Sequence, residues 1–133
     1  MIVAIDPGHN IGIAYVNREG LLLERFVVTL ELLDTFEFPG ESEIVVGDGT
    51  GSLHVQKRLR ERNLSFVVCS EEGTSLKAKE LYFDHHPPRG LMRFLPKGMR
   101  IPPRNVDDFA AYALALRYLN DTAEAKIRHR QHG

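Results

Sequence analysis

The sequence predicts one α/β domain on a mixed five-stranded sheet, with three antiparallel strands followed by parallel strands and with helices on its flanks. Three observations carry that expectation. Three short apolar runs separated only by turn residues fill the chain as far as Val28, and two further apolar runs then alternate with helix-patterned segments. With 133 residues and 43% hydrophobic content, the chain has room for one buried core and not for a second domain of ordinary size.

The elements follow in order. Met1 to Ile5 is a strand that Asp6-Pro7-Gly8 stops, because proline and glycine turn the backbone there, so Asp6 sits at a strand end. Ile11 to Val16 and Leu21 to Val28, joined by Asn17-Arg18-Glu19-Gly20, read as a hairpin that completes an antiparallel meander. Leu30 to Phe36 forms a short helix closed by Pro39-Gly40, and Glu43 to Val46 is a strand ending in Gly47-Asp48-Gly49. Ser52 is suited to cap a helix running to about Arg62, Ser65 to Cys69 is the fifth strand, and Thr74 to about Phe83 is another helix. Between His85 and Arg104 five prolines and two glycines exclude continuous helix or strand, and a loop of this length is usually functional or mobile. The last helix starts near Asn105 and runs through Phe109 to Tyr118, with Asn120 as its stop. The domain is therefore expected over 1–120, with 121–133 a flexible polar tail. The order is βββαβαβαα, or one helix fewer.

Composition narrows the class. Seventeen basic against 18 acidic residues give a formal net charge of −1, so any cationic surface must be local. The single cysteine, Cys69, lies in an apolar run and allows no internal disulfide. With no apolar stretch near ~18 residues and Asp6 interrupting the first one, the expectation is a cytoplasmic protein without a membrane span.

The chemistry is in the acids. Two-metal phosphodiester hydrolysis needs several carboxylates converging on two divalent ions ~4 Å apart. Asp6 closes the first strand, Asp48 follows the fourth, Glu71 and Glu72 follow the fifth, and Asp107 and Asp108 open the final helix. Parallel strands joined by right-handed crossovers bring these ends to one edge of the sheet. Each acid also has a plainer reading: Asp6 and Asp48 as turn residues, Glu71 and Glu72 as solvated strand-end acids, and Asp107 and Asp108 as complements to a helix N-terminus. Convergence is what favours a site.

A family resemblance joins these positions. Ile2-Val3-Ala4-Ile5-Asp6-Pro7-Gly8 with Ile11-Gly12-Ile13-Ala14 resembles the first-strand signature of RuvC-type resolvases, in which the aspartate is a metal ligand. Val106-Asp107-Asp108-Phe109-Ala110-Ala111 resembles the last-helix motif of YqgF-type proteins, and Cys69-Ser70-Glu71-Glu72-Gly73-Thr74-Ser75 is similar to that family's fifth-strand acidic motif. The resemblance implies an RNase H-like fold and a cytoplasmic endonuclease, dependent on Mg²⁺ or Mn²⁺, that acts on structured nucleic acid such as Holliday junctions or precursor ribosomal RNA. It implies metal ligation by Asp6, Glu71 and Asp107, with Asp48 and Asp108 as further catalytic candidates. Two departures stand out. Ser70-Glu71-Glu72 replaces the Asp-Glu-Arg usual in YqgF-type proteins, and Arg104 occupies the position of a further RuvC-type aspartate. The RuvC pattern puts the second acid after the fourth strand, at Asp48, and the YqgF pattern puts it at Glu71; both stay candidates.

The segment with His85, His86, Arg89, Arg93, Lys97, Arg100 and Arg104 interleaves cations with Leu91, Met92, Phe94, Leu95, Met99 and Ile101 and carries no acid. Such a strip suits phosphate backbone, with Arg89, Arg93, Lys97, Arg100 and Arg104 as the DNA- or RNA-binding residues; the plainer reading is a loop that packs its apolar side chains and solvates its charges. The adjacent histidines lack zinc-ligand spacing and read as part of that basic surface. A homodimer is also compatible with this reading. Two other functions compete: a non-catalytic nucleic-acid-binding module, and nucleotide binding on an actin-like ATPase fold. Length argues against the second, which needs two domains to enclose its ligand, and no Walker-type Gly-Lys-Ser/Thr sequence is present.

Overall fold

A computed structural model of the chain describes residues 1–88, 90, 94–95 and 106–132, with side chains described as far as 123. Strands β1 (Ile2–Asp6), β2 (Ile11–Val16) and β3 (Leu22–Val28) precede helix α1 (Leu30–Leu33). Strand β4 (Glu43–Gly47), helix α2 (Ser52–Glu61), strand β5 (Val67–Cys69) and helices α3 (Thr74–His85) and α4 (Asp107–His132) follow. The five strands form one sheet in the order β3-β2-β1-β4-β5. Strands β1, β2 and β3 pair antiparallel, and β1, β4 and β5 pair parallel. This is the RNase H-like arrangement expected from the sequence.

Strand alternation divides the core in two. Ile2, Ala4, Ala14, Val16 and Val45 point to one face, where α3 and α4 cover them with Ala78, Leu81, Phe109, Ala111, Leu114 and Ala115. Val3, Ile5, Ile11, Ile13, Ile44 and Val46 point to the other, against Leu33 of α1 and Val55 and Leu59 of α2. Cys69 is buried, as its apolar neighbours suggested. Among the described residues no helix is long and apolar enough to cross a membrane.

Several boundaries differ from the expectation, each for a local reason. Helix α1 ends at Leu33 rather than Phe36, and the Arg62 guanidinium donates to the carbonyls of Leu33 and Phe36 at 2.9 and 2.8 Å, satisfying acceptors that the helix end leaves free. The cap of α2 is Gly51 in the left-handed region (φ 89°), and Ser52 is instead its first residue, buried and accepting from Gln56 at 3.0 Å. Strand β5 begins at Val67 rather than Ser65, since it finds a partner only along Val45 to Gly47 of β4. Helix α4 passes through Asn120 to His132. An Arg117–Asp121 pair at 3.7 Å spans that point, and Thr122 Oγ1 donates to carbonyls of the preceding turn, so one asparagine of modest helix propensity does not end the element. The expected cap Asn105 lies outside the described residues.

Candidate functional site

The alternation that builds the core also selects which strand-end residues meet. Ile2 and Ala4 face α3 and α4, so Asp6, two residues further along β1, shares their face. Gly12 pairs directly opposite Asp6 in the β1–β2 ladder and faces the same way as Ala14. Gly47 continues the face of Val45 at the end of β4. At this edge the sheet thus presents an aspartate flanked by two residues without side chains.

Both glycines give room for an acidic residue. A Cβ on Gly12 would overlap the backbone carbonyl of Asp107, so only glycine lets the first turn of α4 lie this close beside Asp6. A Cβ on Gly47 would overlap Oε1 of Glu71, and one on Gly49 would overlap Oε2. The Glu71 carboxylate therefore rests across the two bare α-carbons of Gly47 and Gly49. Asp48, exposed between them, aims its carboxylate at the Glu71 main chain: Oδ1 accepts from the Glu71 N–H at 3.0 Å, and the Asp48 N–H donates to the Cys69 carbonyl at 3.1 Å. These two bonds tie the end of β4 to the end of β5.

The electrostatics show that the acids converge. The Asp6 carboxyl is pushed from 3.8 up to about 8, first by burial, then by its hydrogen bond with Glu71 and by the charges of Glu71 and Asp107. Among the described residues the buried Oε1 of Glu71 has no hydrogen-bond donor. Two carboxyls sharing a proton is the usual outcome when like charges are forced together, as the Asp6–Glu71 hydrogen bond allows. Asp6 thus feels the charges of both Glu71 and Asp107 at this edge of the sheet.

The other predicted acids are placed differently. Asp48 reaches the site through the Glu71 backbone. Asp108 turns toward β3, where Oδ2 accepts from Nη1 of Arg25 at 3.0 Å and the side chain is only 7% exposed. Sequence reasoning missed Arg25, because an ion pair across 83 residues has no local signature. It also missed the purpose of Gly12, Gly47 and Gly49, whose signal was their position at strand ends beside acids. Each histidine at the end of α3 engages its own helix, His85 Nδ1 with the Leu81 carbonyl at 3.0 Å and His86 Nδ1 with that of Tyr82 at 3.3 Å, while the His86 ring stacks on Tyr82. The predicted nucleic-acid-binding residues Arg89, Arg93, Lys97, Arg100 and Arg104 lie outside the described residues.

Among the described residues no three His, Cys, Asp or Glu side chains stand at metal-coordinating spacing. The donor set nevertheless fits a hard divalent cation. It is all oxygen, it contains a buried acceptor without a donor, and one of its acids holds a proton that a cation would displace.

No protein-family model matches the chain, and no curated protein does. Among solved structures, Thermus thermophilus RuvC aligns over 92% of this chain and 96% of its own, at 18% identity and a TM-score of 0.44. The structure of T. thermophilus RuvC in complex with a Holliday junction substrate aligns over 87% and 90%, at 16% identity and a TM-score of 0.42.

Proposed function

We propose that the chain is a metal-dependent endonuclease acting on structured nucleic acid. The carrying observation is the packing at the end of β1, where bare Gly12 admits the first turn of α4 and bare Gly47 and Gly49 seat the Glu71 carboxylate beside Asp6, whose carboxyl is pushed up by burial and by these acids. A carboxyl shifted by burial and by two neighbouring acids is a candidate for completion by a cation. Asp6, Glu71 and Asp107 would hold Mg²⁺ or Mn²⁺, which supplies charge stabilisation on the phosphoryl oxygens and activation of water. The chain's own work is to bind and orient. Gly47 and Gly49 seat the Glu71 carboxylate, Gly12 admits α4, and Asp48 fixes the loop that carries Glu71. Arg89, Arg93, Lys97, Arg100 and Arg104 would meet the phosphate backbone, whose attraction is independent of sequence.

Glu71 is the preferred second acid because its carboxylate, not that of Asp48, contacts Asp6. A non-catalytic nucleic-acid-binding module is the second reading, favoured by the spacing of the three acids, which falls short of coordination among the described residues. Incubation with Mg²⁺ or Mn²⁺ and a panel of four-way junctions, duplexes, single strands and precursor RNA separates the two. Cation-dependent cleavage of branched or folded substrates that Asp6→Asn abolishes supports the nuclease; binding without cleavage under every condition supports the module.

A further inference from the structure

Two consecutive aspartates open α4, and successive helical residues point about 100° apart, so only one of them can face Asp6. Something must decide which. We propose that Arg25 makes this selection: it is a positioning residue that captures Asp108 and thereby presents Asp107 to Asp6 and Glu71. The inference rests on the nuclease reading above and adds to its site a residue from the far strand of the meander.

Arg25 lies on β3 opposite Ala14 of β2, so its side chain leaves the sheet on the face that α4 covers. Its guanidinium grips the two residues that follow Asp107. Nη1 donates to Asp108 Oδ2 at 3.0 Å, and the planar group lies over the Phe109 ring with Cζ 4.9 Å from the centroid. The Phe109 N–H closes the arrangement by donating to Asp108 Oδ1 at 3.1 Å. Phe109 itself is fully buried in the core beneath α4. The rotation of the first turn of α4 is therefore fixed from three sides: the Arg25–Asp108 pair, the Phe109 ring, and the bare Gly12 against the Asp107 carbonyl.

A stabilising role alone does not account for this design. An aspartate at a helix N-terminus complements the dipole while exposed, whereas burying it adds a desolvation cost that an ion pair only offsets. The Arg25 end of the pair is 38% exposed and the Asp108 end 7%, so its directional hydrogen bond can set register where an apolar contact would not. Without it, a turn of α4 by one residue would bring Asp108 toward the site and carry Asp107 away.

The test uses Mn²⁺ alone as probe, with affinity measured by calorimetry on folded protein and stability measured by urea unfolding. Arg25→Met should weaken Mn²⁺ binding roughly 10- to 100-fold, the usual effect of removing a residue that orients a ligand. Because Arg25→Met takes the guanidinium away from a buried carboxylate and can destabilise the fold, the double variant Arg25→Met/Asp108→Asn is the decisive protein. It should regain stability without regaining affinity, and Arg25→Lys should recover affinity in part. Wild-type affinity in the folded double variant would overturn the inference while leaving the nuclease reading intact. Failure of the wild type to bind Mn²⁺ would overturn the nuclease reading and this inference together.

Discussion

Replacing Asp6 with Asn should stabilise the cation-free protein at neutral pH. The wild-type carboxyl is raised from 3.8 to about 8, so at pH 7 the folded state keeps a proton that the unfolded chain has lost. The folded state therefore binds more protons between these values, and apo stability is greatest below the unfolded pKa and falls as pH rises toward the folded one. Taken in full, the difference between 3.8 and pH 7 corresponds to about 4 kcal/mol. That is an upper limit, because the carboxylates move apart and water enters when the repulsion grows. Asparagine is neutral at every pH and can donate to Glu71 as the protonated acid does. We expect a gain of about 1–2 kcal/mol at pH 7.5, or roughly 4–8 °C in melting temperature, shrinking toward zero near pH 4. Thermal and urea unfolding from pH 4 to 8.5 without divalent cation reads it directly. An Asp6→Asn protein that is no more stable than wild type at pH 7.5, with the same pH slope, would refute the reasoning and return Asp6 to the role of a turn residue.

Three further outcomes are expected. Gly12→Ala should cost about 1–3 kcal/mol in urea unfolding by pushing the Asp107 carbonyl off the sheet, and no loss would mean that α4 is not held against Gly12. In single-turnover cleavage at saturating substrate, Glu71→Gln should reduce the rate by roughly 100-fold or more, while Asp48→Asn, which keeps an oxygen for the Glu71 N–H, should stay within about tenfold; the reverse ranking would make Asp48 the second acid. Replacing Arg89, Arg93 and Arg100 together with Ala should weaken binding to all substrates and flatten the dependence of log affinity on log salt, by about 0.9 for each lost phosphate contact on duplex DNA. An unchanged slope would show that the strip does not touch phosphate.

The sheet was legible because period-two patterning and turn residues are local properties. Asp6-Pro7-Gly8 and Gly47-Asp48-Gly49 could each be placed at a strand end without knowledge of the partner strand. Convergence of Asp6, Glu71 and Asp107 followed once those ends were assigned to one edge. What stayed hidden depends on contacts distant in sequence. Arg25 pairs with Asp108 across 83 positions, and the Glu71 carboxylate is seated on two glycines, contacts that bear on the proposed choice of Asp107 over Asp108 and of Glu71 over Asp48. Helix ends failed similarly. Asn120 reads as a stop until the Arg117–Asp121 pair and the Thr122 hydroxyl are seen to bridge it, and Phe36 reads as helical although the helix ends at Leu33, where Arg62 donates to the carbonyls of Leu33 and Phe36.

In the proposed site Asp6, Glu71 and Asp107 hold one cation, and Asp6 keeps a proton until the cation arrives. Calorimetric titration of the wild-type protein with Mn²⁺ at pH 7, repeated in buffers of different ionisation enthalpy, counts the protons released on binding. Saturable binding is expected, with about one proton released from wild type and none from Asp6→Asn. Absence of binding, or binding with equal proton release in the two proteins, would contradict it.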